Sequence, residues 1–211
     1  MENKAKAELE LEFISSIIRD TRKKIDDSGL SGAVWGSLVV IGVMVNYISG
    51  LTHNWSYALY VWGVLLAAGW IYSFLKFRNT RKNSIPETFG LKIQNALWRA
   101  SGIAMTLIGI VCSVQFKREV SDMVPYSYII NSMAIAPLIS FILGTAYYVT
   151  GYINDCKYTT RLAYGWWTGG VIIFYMKSYN TFPVFALMTI LFQIVPALRY
   201  YKRSKMNSAG K

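Results

Sequence analysis

The sequence predicts an all-α fold, a polytopic six-helix transmembrane bundle preceded by a cytoplasmic amphipathic helix. Three observations predict it. Six apolar stretches follow one another between residues 29 and 198, each near the ~20 residues needed to cross a hydrocarbon core. Lys and Arg gather on alternate connections. Finally, 54% of the residues are hydrophobic and only 16% charged, too few to cover six helices that are apolar on every face if water were the solvent.

Three segments are expected: residues 1–28 as a cytoplasmic or interfacial helix, 29–200 as the six-span domain, and 201–211 as a basic cytoplasmic tail. In the first, Leu11, Ile14, Ile18, Thr21 and Ile25 recur at steps of three and four, and Phe13 and Ile17 widen the apolar stripe. Glu8, Glu10 and Glu12 sit in the early part of this helix and Arg22, Lys23 and Lys24 near its end, which suits the helix dipole. Leu11, Ile14, Ile18 and Ile25 form the candidate partner-binding face. Such a stripe lies in the headgroup layer, or docks on a protein partner or a second copy of the chain. Residues 1–24 lack the unbroken apolar core of a secretory signal, so the segment is expected to be retained.

The expected spans are 29–48, 57–77, 97–116, 128–148, 160–176 and 182–198. Nineteen of the 22 Lys and Arg fall on the side of the N-terminus, the even-numbered connections and the tail. Only Lys117, Arg118 and Lys177 fall on the other. The positive-inside rule then puts both termini in the cytoplasm, where the basic segments meet anionic lipid headgroups. The net charge of +11 is accounted for by this bias, so nucleic acid is not an expected partner. Cys112 falls in the third span and Cys156 in a cytoplasmic connection, which excludes an extracytoplasmic disulfide between them. Trp and Tyr cluster at both span ends, as aromatic belts do.

Trp35-Gly36, Trp98-Arg99 and Trp166-Trp167 stand near the starts of the odd spans, 63 and 68 residues apart. That spacing fits three parallel two-helix hairpins, with ordinary interfacial tryptophan as the competing account. Three such units are the plan of the mitochondrial carriers. The Pro, acidic and basic set that ends each odd span in that family has no counterpart in residues 41–50, 111–120 or 172–181. With its amphipathic opening and the Ser31-Gly32 and Trp35-Gly36 pairs, the chain resembles uncharacterised bacterial multi-pass membrane proteins. The resemblance implies a bacterial cytoplasmic (inner) membrane and carries over no functional residue.

Small residues mark the expected packing faces. In the fourth span Ser132, Ala136, Ser140 and Gly144 repeat every four residues, and in the third Gly102, Thr106, Gly109 and Ser113 form a similar ridge. Gly32 with Gly36, and Gly165 with Gly169, are GxxxG pairs. Such ridges let backbones approach closely where lipid offers no hydrophobic drive. Pro137 interrupts the fourth span and frees a carbonyl, so a kink is expected beside hydroxyls that either line a path or bond their own backbone.

No acidic residue falls within a span, which argues against a proton-driven pump. Metal sites need several His, Cys or carboxylate ligands, and the single histidine, His53, sits in an external turn. Serines in the spans lack a base, and no glycine-rich phosphate loop is present. No catalytic residue, metal site or cofactor is therefore expected. The expected role is a non-catalytic accessory or signalling component acting through the N-terminal helix; the alternative is a small-solute facilitator or channel beside the kinked fourth span.

Overall fold

In the computed structural model, residues 29–52, 57–81, 89–120, 125–176 and 180–209 are described, and among them every regular element is helical. The helices are α1 (Gly29–Thr52), α2 (Ala58–Arg81), α3 (Phe89–Val120), α4 (Pro125–Ile153), α5 (Lys157–Tyr175) and α6 (Thr181–Thr189), which continues through a π-helical turn (Ile190–Ile194) into α7 (Val195–Ala209). Long apolar runs become helices because hydrocarbon offers no water to unpaired backbone groups. The expected spans coincide with helices to within a residue at their ends, the sixth running through α6, the π-helical turn and α7, and two helices run well beyond them: α3 starts eight residues early, at Phe89, and α7 carries on to Ala209. Among the described residues, three of the six expected stretches are long and apolar enough to cross a membrane, Gly29–Thr52, Ile135–Ile153 and Thr181–Lys202. The amphipathic segment 1–28, with Leu11, Ile14, Ile18 and Ile25, lies outside the described residues, as does His53.

Proline sets the irregularities. Val195 donates its N–H to the carbonyl of Ile190, five residues back, immediately before Pro196, which has no N–H to give. The turn widens where the ladder is broken. Pro183 stands in the first turn of α6, where a missing N–H costs nothing. Pro137 lies within α4, which stays helical across it and buries the ring.

The core lies between α1, α4, α5 and α6, around Val43, Leu143, Trp166, Ile173 and Phe185. From the flanks, Trp62 of α2 and Trp98 and Met105 of α3 pack against it. Large apolar side chains also point outward from every helix, among them Ile41, Val64, Phe74, Leu107, Val171 and Leu191. In water such a surface would aggregate; against acyl chains it is solvated.

One end of the bundle gathers the start of α1, the end of α2, the start of α3 and the α4–α5 turn. Lys76 donates to the Ser31 hydroxyl at 2.8 Å, Asn154 to the Gln94 side-chain oxygen at 3.2 Å, and Gly29 abuts α7. The α4–α5 connection is only three residues long. Asp155 takes a left-handed backbone, φ 45°, while Cys156 N–H closes back on Gly151 carbonyl at 2.8 Å. This cap satisfies carbonyls at the end of α4 and turns the chain sharply into α5. A side chain branched at Cβ fits that backbone poorly. Asp155→Val is expected to lower stability by about 1–2 kcal/mol while Asp155→Gly leaves it intact, read as the thermal transition of the purified protein in detergent.

Candidate functional site

The expected packing residues divide into two groups. On α1, a Cβ built on Gly36 would lie 2.8 Å from Ile194, and one on Gly32 would lie 3.4 Å from Ala197. Gly29 is as tight, 2.8 Å from the Ala197 carbonyl oxygen. The first two turns of α1 therefore lie flush on the π-helical turn and α7. Gln193, buried at that turn, donates across the contact to the Gly32 carbonyl at 3.2 Å. On α5, Gly165 faces the Phe192 ring at 2.9 Å and Gly169 faces Met188, while on α4 Gly144 faces the Trp167 indole. Ala136 and Ser140 are buried on the same helix, and Ser140 lies 3.0 Å from a Cβ placed on Gly170. On α3, no described atom lies within 4 Å of a Cβ built on Gly102 or Gly109. The side chains of Ser132, Ser113 and Cys112 lie outside the described residues.

A second feature is built on tryptophan. Trp35 Nε1 donates to Ser73 at 2.9 Å, with its ring 2.7 Å from a Cβ built on Gly69, one turn before that serine. Trp62 Nε1 donates in the opposite direction to Asn46 Oδ1 at 3.0 Å, over Gly42 in the same register. Between α3 and α4, Trp98 Nε1 donates to Thr150 at 3.0 Å, and fully buried Ala146 stands one turn earlier. Trp167 lies on Gly144 and donates to the Phe141 carbonyl at 3.4 Å. In three of the four a glycine admits the ring, and in each a polar group about one turn away accepts the indole N–H.

Sequence reading treated these tryptophans as belt or repeat markers and missed the bonds. The signal was the small-xxx-polar pair on the facing helix: Gly69-Ser73, Gly42-Asn46 and Ala146-Thr150. Trp35 and Trp98 make like bonds within the first two hairpins. Trp166, which the expected repeat would match to them, is wholly buried against Phe185 and Phe192, and among the described residues its Nε1 has no partner. Leu at Gly69 should displace the Trp35 ring and cost about 1–3 kcal/mol, whereas Leu at exposed Gly63 on the same helix, with nothing within 4 Å of an added Cβ, should be nearly neutral; thermal unfolding in detergent compares the two.

The α4–α5 turn holds a polar cluster. Thr159 donates to Cys156 Sγ at 3.2 Å, and the Tyr200 hydroxyl from α7 lies 3.0 Å from Thr159 Oγ1 and 3.4 Å from the sulfur. Burial pushes the Cys156 thiol up, but hydrogen bonds from the Thr159 and Tyr200 side chains and from the Thr159 and Tyr158 backbone outweigh it and hold the thiol below its ordinary value. The thiolate form is the nucleophile toward alkylating agents. In a Cys112→Ser background, iodoacetamide labelling of Cys156 should rise at a lower pH than for an ordinary thiol, and Thr159→Val should move that rise upward.

Beside Pro137 the hydroxyls turn inward on their own helix. Ser140 donates to the Ala136 carbonyl at 2.8 Å and Thr145 to the Phe141 carbonyl at 3.0 Å. Thr189 of α6 does the same to Phe185 at 2.9 Å. This is local back-bonding of hydroxyls, which commits each of these protons to the residue's own helix. Among the described residues no three His, Cys, Asp or Glu side chains come together as a metal-binding group. No family model, curated protein or solved structure matches this chain.

Proposed function

We propose that the chain is a six-span integral membrane protein of a bacterial inner membrane, with both termini cytoplasmic, and that it acts without catalysis as an accessory or signalling component through its N-terminal helix. The observation that carries this reading is the clamp at the start of α1. Residues 1–28 lead straight into Gly29, Gly32 and Gly36, which lie flush on Ala197 and Ile194 and are tied by the Gln193 bond. A partner that moves the N-terminal segment would thus pull on a helix whose first two turns are held against α7. Exposed Arg78, Lys92, Arg99, Lys157, Arg161, Arg199 and Lys202 stand at the same end of their helices, consistent with a cytoplasmic face under the positive-inside rule.

The alternative, a small-solute facilitator beside α4, draws no support from Ser140 and Thr145, whose hydroxyls are taken up by backbone carbonyls. The partners proposed are the bilayer, with anionic headgroups on the cytoplasmic side, and a protein companion or second copy at the Leu11, Ile14, Ile18 and Ile25 face. Purifying the full-length chain and a copy lacking residues 1–19 from mild detergent, with mass spectrometry of what accompanies each, tests this. A stoichiometric companion is expected with the full-length chain and lost on truncation. Identical companions and unchanged cellular phenotypes would sink the accessory role, and solute flux in liposomes holding the pure protein would establish the facilitator.

A further inference from the structure

The outward face of the α4–α5 hairpin changes character along its length. At the turn end stand Lys157 and Arg161, four residues apart on one helical face and both exposed. Among the described residues neither makes an ion pair or a hydrogen bond, and Tyr152, 80% exposed, stands near the same end of α4. One turn further in, three rings meet across the two helices. Tyr148 stacks on Trp167 at 5.5 Å, and Tyr164 sits edge-on to both, at 6.4 Å and 5.8 Å. Gly144 seats the Trp167 indole, so the rings form a ledge in the groove. Tyr164 remains 52% exposed and Tyr148 37%. Deeper still, Phe141, Leu138 and Val171 continue the groove as an exposed apolar strip.

Cation, aromatic ledge and apolar strip, in that order along one groove, match the order of groups in an acidic phospholipid: phosphodiester, glycerol esters and acyl chain. The dimensions agree. From Arg161 to Tyr175 is fourteen residues, roughly 21 Å of helix, against about 15 Å for one leaflet's share of the hydrocarbon core. A second copy docking here by two-fold symmetry would bring like cationic rims together, and a soluble anion would leave the ledge and strip unused. We propose that this groove binds one acidic phospholipid, with Arg161 and Lys157 on its phosphate, Tyr148, Tyr164 and Trp167 beneath its glycerol, and one acyl chain along Phe141 and Val171. The assignment concerns one site on one hairpin and is independent of whether the protein is an accessory component or a facilitator.

Native mass spectrometry of the full-length protein in mild detergent, titrated separately with phosphatidylglycerol and phosphatidylcholine, tests it. One phosphatidylglycerol should be retained preferentially. Lys157→Gln with Arg161→Gln should weaken that binding by about fivefold per cation removed. The exposed pair Arg78→Gln with Lys202→Gln, also basic but on α2 and α7, should leave it unchanged. Equal retention of phosphatidylcholine overturns the proposal, as does undiminished phosphatidylglycerol binding by the Lys157/Arg161 variant. An equal loss in the Arg78/Lys202 variant assigns the effect to general charge and overturns it too. All four side chains are exposed, and an unchanged thermal transition in each variant confirms that the readout is binding and not folding.

Discussion

Inside hydrocarbon an indole N–H has no water to turn to, and a helix has little hydrophobic reason to prefer a neighbour over lipid. The bundle meets both conditions with one contact. A tryptophan ring settles on a glycine of the facing helix, gaining close dispersion contact, and its N–H is spent on a polar group near that glycine. Trp35 and Trp62 make the contact reciprocally between α1 and α2, so the hairpin is fixed toward both ends by rings crossing in opposite directions. Trp167 does the same between α5 and α4. Bonds of this kind in membranes contribute around 0.6 kcal/mol each on average. Their value lies more in register: a ring that fits only over glycine, and a donor that reaches only one acceptor, select one alignment of two otherwise greasy rods.

Tryptophan thus joins the outer pairs, while the middle of the bundle is held by glycine against side chain. The α1 face built from Gly29, Gly32 and Gly36 has no ring to receive; it lies against aliphatic and backbone atoms of the π-helical turn and α7. Pro196 matters here. By removing a donor it lets the helix widen, and Gln193, within the widened turn, reaches the backbone of α1. A break in one ladder is thereby converted into a bond between helices.

Much of this was legible in the sequence, for identifiable reasons. Helix positions followed from apolar run length, and the tight faces at Gly36, Gly144, Gly165 and Gly169 from small residues one turn apart. A small-residue ridge says that a close approach is permitted, not what fills it: the bonds from α3 to α4 and the turn after it come from Trp98 and Gln94, which the ridge did not mark. The indole bonds went unread because each depends on two helices being antiparallel at a particular offset. That offset leaves no mark within either segment alone, although a glycine followed by Ser or Asn one turn later hints at it. The basic rim and aromatic ledge of the α4–α5 groove were visible only as separate charge and belt signals until the turn at Asp155 set them side by side.

That turn also bears on how the chain sits in a membrane. Three residues can span only about 10 Å even when fully extended, a third of the ~30 Å hydrocarbon core, so the end of α4 and the start of α5 can never stand on opposite faces of a membrane. Wherever a membrane lies across α4, the start of α5 is therefore on the same side of it as the end of α4. Lys157 and Arg161, just past the reversal, stand on that side too, so whatever holds these two cations at one face of a membrane holds the end of α4 there as well.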